Sequence, residues 1–338
     1  MSRRVSVRDV ARVAGVSISS VSRVLNGSGY ASSSLKARVA RAVAETGYTP
    51  SFAARHLRTG RSRAIGFMVS NLANPFLAAL VARVEEHLRL AGFALLVAST
   101  YDQREREEEL LTLFQSRQLE GVFAAPSTEG LPRSRDPYAR CRLPLVILDR
   151  EISFDADAVF LDHRSAIRQS VEYLVELGHR RIALLGPNEQ IRPGREKLLG
   201  YRDGLQAHGI PYDENLVCML RSAVDSPEQQ VSRMLSGDDP PTAMIGLGTR
   251  ILAGALRAAR RAQLEIPADL SIIGIGTPDV FAYMYPPMTT LRFDIETAAS
   301  SMTQLMLDRI AGSAPREPRR VHIALDLVVG ETCAPPRA

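Results

Sequence analysis

Residues 6–26 read SVRDVARVAGVSISSVSRVLN. Ser6 can cap a helix. Asp9, three residues on, stands in the capping-box position, where its charge also suits the helix dipole. Val7, Val10, Ala11 and Ala14 then recur at i, i+3, i+4 and i+7, the apolar stripe of a short helix. Gly15 ends that helix, because glycine turns there without a side-chain clash. Val16 is placed to plug a core. Ser17 caps a second helix running to about Leu25, with Val21, Val24 and Leu25 inward and Ser19, Ser22 and Arg23 outward. Helix, tight glycine turn and helix together predict a helix-turn-helix. A third helix fits residues 33–47, with Leu35, Val39, Val43 and the alanines on its core face.

The second helix explains its own composition if it enters a DNA major groove. Its hydroxyls and its N-terminus suit phosphates. Arg23 can pair bidentately with a guanine edge, which is worth roughly 1–3 kcal/mol of discrimination. Ile18 is a large apolar residue in the outward first turn. Contact with a thymine methyl and packing on the first helix are both open to it.

Charge supports a polyanion partner for this segment. Residues 1–63 hold 12 Lys and Arg against 2 Asp and Glu, whereas the remainder holds 30 against 35. Arginine carries nearly all the positive charge, since Lys36 and Lys197 are the only lysines. The 338 residues leave room for two or three domains, and the 45% hydrophobic content predicts a globular protein. No uninterrupted apolar stretch reaches membrane-span length, and the basic N-terminus lacks a signal peptide's apolar segment. Cys141, Cys218 and Cys333 are odd in number and far apart, which fits neither a disulfide framework nor a metal cluster and predicts a reducing cytoplasm.

Beyond residue 63 the sequence alternates strand and helix. Short apolar runs (AIGFMVS, FALLVAST, GVFAAP, LPLVILD) are separated by helical stretches, and the alternation restarts with AVFLD, RIALLGP, LVCML, AMIGLG and LSIIGIG. This predicts a doubly wound α/β body with two lobes of parallel sheet and a ligand cleft at the carboxyl ends of the strands. The helix IETAASSMTQLMLDRIAG and the strand RVHIALDLVVGETC are expected to cross back between lobes.

Enzyme readings find little support. The glycines of AMIGLGTRILAGAL (243–256) lack the third partner of a dinucleotide fingerprint and the acidic residue of the next strand. No GxSxG, HExxH or P-loop lysine is present. Asp162-His163 reads as part of a lobe junction and His179 as helix-end packing. No catalytic residue, metal or cofactor is expected. The rival classes are a solute-binding protein without DNA function and an NAD-dependent enzyme.

The run DVARVAGVS..SVSRVLN, continued by GYTPSFAARHLRTGRSRAIG, resembles the DNA-binding head of the lactose-repressor/galactose-repressor family of bacterial transcription regulators. SNLANPF (70–76), VILDR (146–150), LGHRRIALLG (177–186), IPADLSIIG (266–274) and YPPMTTLR (285–292) extend the resemblance over nearly the whole chain, to that family's periplasmic-binding-protein-like core. The resemblance implies an all-α head at 1–50, a hinge helix and linker at 51–63, and an effector-binding and dimerisation core at 64–338. Lobe 1 would comprise about 64–161 plus 293–320, and lobe 2 about 162–292 plus 321–338. Ile18 and Ser19 take the variable base-reading positions, and Ser17, Ser20, Ser22, Asn26 and Tyr48 fall where the family contacts DNA backbone or packs the head. Ala54 matches the small residue where paired hinge helices touch, and Leu57 the wedge that bends the minor groove. The implied function is a cytoplasmic repressor that binds a near-palindromic operator as a homodimer under control of a small molecule. The absence of a heptad tail favours a dimer over a tetramer.

At the expected cleft the chain keeps Ser70, Asn71, Phe76, Asp149 and Arg150 but departs from the family elsewhere. Gly248-Thr249 stands where sugar-binding members usually carry Asn-Asp, Gly276-Thr277 where they usually carry Asp-Asp, and Lys197 where the family has an arginine. Two readings follow: an effector that is anionic or small, such as a sugar phosphate, an acid or a sugar derivative, or a core whose effector control has decayed.

Overall fold

The computed structural model describes residues 5–26, 30–48, 61–220, 225–276 and 285–337. The hinge positions Ala54 and Leu57, Thr277 and the side chain of Asn26 lie outside the described residues. The chain divides into two units, Met1–Ser62 and Arg63–Ala338.

The first unit is three helices: α1 (Val7–Ala14), α2 (Ile18–Asn26) and α3 (Ser33–Thr46). The Asp9 carboxylate accepts the Ser6 amide at 3.0 Å and the Ser6 hydroxyl at 2.7 Å, which ties down the start of α1. Gly15 closes α1 at φ 60°, in the left-handed region. Val10, Val21 and Val39 are fully buried at the point where the three helices meet, and Val7, Val16, Val24 and Leu25 pack around them. Each buried valine contributes on the order of 1.5–3 kcal/mol. Arg38 of α3 donates to the carbonyls of Ala14 and Gly15, both at 2.8 Å, so the third helix clasps the turn between the first two.

The second unit carries two six-stranded sheets. In the first, β1 (Ala64–Val69), β2 (Ala94–Ser99), β3 (Gly121–Ala124), β4 (Leu145–Leu148), β5 (Asp157–Leu161) and β11 (Arg320–Ile323) lie in the order 11-5-4-3-1-2 and are all parallel. In the second, β6 (Ile182–Gly186), β7 (Val217–Met219), β8 (Ala243–Gly246), β9 (Ser271–Gly276), β10 (Thr289–Phe293) and β12 (Leu325–Val328) lie in the order 12-10-9-8-6-7, with only β12 antiparallel to its neighbour. The helices are α4 (Pro75–Leu90), α5 (Arg104–Ser116), α6 (His163–Glu176), α7 (Arg192–Ala207), α8 (Glu228–Leu235), α9 (Thr249–Arg261) and α10 (Ile295–Ala311). Most central strands are buried along their full length, as expected of parallel strands covered on both faces.

Two details differ from the sequence reading. The run RVHIALDLV is two strands that serve different sheets, so the last crossing between lobes falls at Ala324 rather than at 320/321. Hydrophobic alternation continues through this run, and only its pairing partners show the break. Thr289–Phe293 is also a strand, interior to the second sheet, although its alternating sequence lacks the continuous apolar run of the others.

Candidate functional site

In the head, α2 presents one face outward. Ile18 is 48% exposed and absent from the helical core, which leaves the packing alternative without support. Ser19 and Arg23 are exposed, and Arg23 makes no hydrogen bond or ion pair among the described residues. Ser17 spends its hydroxyl on the local cap: it accepts the Ser20 amide at 3.1 Å and lies 2.8 and 2.9 Å from the hydroxyls of Ser19 and Ser20. Ser22 is half-buried, and Tyr48 packs against the head core.

In the second unit, Ser70, Asn71, Phe76, Asp149, Arg150, Lys197, Gly248, Thr249 and Gly276 all line one cleft of about 720 Å³. Its walls come from the carboxyl ends of β1, β4, β8 and β9 and from the first turns of α4 and α9. This is where an open parallel sheet leaves room for a ligand. Phe76 and Phe293 stack across it with ring centroids 4.2 Å apart, and the edge of His163 faces Phe293.

Asp149 holds the floor of the cleft together. It follows β4 with φ at 52° and is 4% exposed. Its Oδ1 accepts Arg192 at 2.5 Å and the Leu161 amide at 3.2 Å, and its Oδ2 accepts His163 Nε2 at 2.7 Å. Burial acts to raise its pKa, but His163, Arg192 and Arg150 outweigh that and hold the carboxyl well below the usual carboxylate range. His163 is driven toward its neutral form by burial. Its sealed Nδ1 meets no acceptor among the described residues, so a proton there would be an orphan. Arg192 also donates to the Leu161 carbonyl at 3.0 Å and stacks over Phe160 at 4.6 Å. Arg192 and His163 begin the lobe 2 helices α7 and α6, whereas Asp149 belongs to lobe 1, so this buried cluster bridges the lobes.

A second bridge lies beside it. Glu129 accepts the backbone amides of Arg192 at 2.9 Å and Glu151 at 3.0 Å, and pairs with Arg195 at 3.0 Å. It therefore caps the uncapped start of α7 from the opposite lobe. Arg195 is also held by Glu151 at 2.9 Å. It is committed to this bridge. Lys197 is different. It is 6% exposed, lines the cleft, and makes no hydrogen bond or ion pair among the described residues. Burial brings it down to about 8, against the pull of Asp149. Behind the wall, burial pushes Glu107 up to about 7 while it accepts the Ser127 amide at 2.8 Å.

The sequence reading missed Arg192, Glu129 and Glu107, since nothing local marks one arginine or glutamate among many as buried. It placed His163 at a lobe junction, where the Asp149 contact puts it. Asp162 also lies at that junction, its amide donating to the Ile323 carbonyl at 2.9 Å, and its carboxylate caps α6 through the Ser165 amide. His179 fastens the C-terminal segment, reaching Thr242 at 2.8 Å, Ser271 at 3.1 Å and the Ala334 carbonyl at 2.9 Å. The described residues hold no group of three or more candidate metal ligands, and no described helix is long and apolar enough to cross a membrane.

Comparison with known proteins agrees with this architecture. The model for bacterial regulatory proteins of the lacI family matches residues 6–51, and that for the periplasmic binding protein-like domain matches residues 171–333. The HTH-type transcriptional regulator CelR of Thermobifida fusca is 32% identical over 98% of this chain and 98% of its own. The ribose operon repressor of Haemophilus influenzae is 28% identical over 97% and 96%. Among solved structures, a lac repressor dimer bound to operator and the anti-inducer ONPF superposes with a TM-score of 0.84 at 25% identity, covering 98% of this chain and all of that one. A CelR–cellobiose complex gives 0.71 at 29% identity over 97% and 100%. With a helix-turn-helix head, a two-lobed core with an interlobe cleft, and full-length relatives among regulators, the chain belongs to the lacI family of DNA-binding transcriptional regulators.

Proposed function

We propose that this protein represses transcription in the cytoplasm by binding a near-palindromic operator as a homodimer, and that a small molecule in the interlobe cleft sets its affinity for DNA. The observation that carries the reading is the outward face of α2, where Ile18, Ser19 and Arg23 stand exposed on a packed three-helix head. Arg23, Ile18 and Ser19 read base edges, and Ser17 and Ser20 meet phosphate. Residues 51–63 join head and core as hinge and linker, with Ala54 at the contact of paired hinge helices and Leu57 as the minor-groove wedge. The operator-bound lac repressor dimer, similar over nearly the whole chain, supports this arrangement. A ligand that favours one lobe arrangement changes DNA affinity by a coupling typically worth about 1–3 kcal/mol.

The test is fluorescence anisotropy with a palindromic and a scrambled duplex over a salt series. Arg23→Ala is expected to weaken the palindromic complex by about 5- to 150-fold, the equivalent of 1–3 kcal/mol, and the scrambled complex far less. Equal loss on both duplexes would show that Arg23 touches only phosphate.

A further inference from the structure

Among the described residues, the carboxylates of the cleft lining are already engaged while several donors are not. Asn71, Asn74 and Asn188 each turn the side-chain carbonyl oxygen onto a backbone amide two residues on, at 2.8, 3.1 and 2.9 Å. Each oxygen thereby commits one of its two lone pairs to its own loop, while the NH₂ groups make no hydrogen bond among the described residues. The deepest carboxylate, Asp149, is consumed by Arg192, His163 and the Leu161 amide. The other lining carboxylates among the described residues, Asp102 and Asp225, are also engaged, as is Arg250 at the rim. On the wall of lobe 2, Gly248 and Gly276 bring no side chain at all.

Donors accumulate against this scarcity. Lys197 is more than nine-tenths buried, and its ammonium has no hydrogen-bond or ion-pair partner among the described residues. The N-terminus of α9 opens on the same cleft, with Gly248 as an N-cap that supplies no side chain and a φ of 147° that a residue with a Cβ rarely adopts. The amides of Thr249 and Ile251 therefore meet no acceptor among the described residues. Around the floor, Arg150, Arg192 and Lys197 surround the carboxylate of Asp149, and burial disfavours a charge on His163. The Phe76–Phe293 pair supplies an apolar face alongside.

A neutral polyol is best held by carboxylates that accept its hydroxyl protons, and the carboxylates of this lining among the described residues are already engaged. A ligand that is all acceptor at one end and apolar at the other matches it. Resting on the regulator reading above, we propose that the effector is an organic acid built on a ring. Its carboxylate meets Lys197 and the open N-terminus of α9, and its ring lies against Phe76 and Phe293. Lys197 is then the residue that pairs with the carboxylate.

The two lysines of this sequence make the test direct. With ¹³Cε-labelled lysine, the full-length protein gives one signal for Lys36 and one for Lys197, and Lys36→Arg assigns them. D-Glucuronate and D-glucose share a ring and differ in whether C6 is a carboxylate, and benzoate supplies a ring acid without hydroxyls. At least one of the two acids is expected to shift the Lys197 signal and raise its titration midpoint by about one unit, equivalent to tenfold tighter binding to the charged form. Glucose leaves both unchanged. By calorimetry, Lys197→Met should lose about tenfold or more in affinity for that acid, and Lys197→Arg should retain it. A Lys197 signal that moves as far with glucose as with either acid, or moves with neither acid, overturns the proposal. Operator binding is measured on the same samples. Its absence from the wild type would defeat the regulator reading while leaving the lysine result standing.

Discussion

Replacing Asp149 by asparagine tests whether the buried cluster holds the lobes together. The side chain keeps its shape, and asparagine tolerates the left-handed backbone that Asp149 adopts at φ 52°. What changes is charge and acceptor count. Arg192, at 2.5 Å, loses its carboxylate, and the new NH₂ must face either Arg192 or His163, both of which donate to this position. Arg192 and Arg150 are 8% and 7% exposed, so water cannot compensate them. Breaking a buried pair by removing one partner costs about 3–5 kcal/mol. At about 2 °C per kcal/mol for a body of this size, the core should melt about 6–10 °C lower.

The pH dependence gives a second reading of the same contact. The folded carboxyl lies below its ordinary value, so its contribution is complete above the unfolded pKa near 4 and is lost as pH falls toward the folded one. The stability gap between wild type and Asp149→Asn should narrow by about 1 kcal/mol between pH 6 and pH 3 in urea titrations. A variant melting within about 2 °C of wild type, or a gap that does not change with pH, would refute the account of Asp149 as a charged bridge.

Three further outcomes follow from the same geometry. Glu129→Gln keeps acceptors for the amides of Arg192 and Glu151 while Arg195 retains Glu151, so the loss should be about 1 kcal/mol. Glu129→Ala orphans both amides and should cost about 3 kcal/mol, with hydrogen exchange rising at the start of α7. Equal costs for the two variants would rule out the cap across the lobes. Gly194→Ala places a Cβ 2.0 Å from the Asn188 carbonyl oxygen, so the cleft wall must move; despite about 1 kcal/mol of helix propensity gained, thermal melting should show a net loss of at least about 2 kcal/mol.

Periodicity and punctuation in the sequence were enough to determine the head. The stripe Val7, Val10, Ala11 and Ala14, the stop at Gly15 and the cap at Ser17 are local signals, and the structure places each where the spacing put it. The alternation of apolar runs and helices fixed the α/β body for the same reason: burying a parallel strand on both faces leaves a mark on the strand itself. Strand partnership leaves no such mark. Arg320–Ile323 and Leu325–Val328 read as one strand, and only pairing with β5 on one side and β10 on the other divides them between lobes. The donor and acceptor balance of the cleft was equally out of reach. Sequence could point to Lys197, Gly248 and Asp149. It could not say that Arg192, 43 residues away, occupies Asp149, that Glu129 caps a helix of the other lobe, or that the asparagines turn their oxygens onto their own loop amides. Those facts depend on which side chains are desolvated together, and that is decided when the lobes pack.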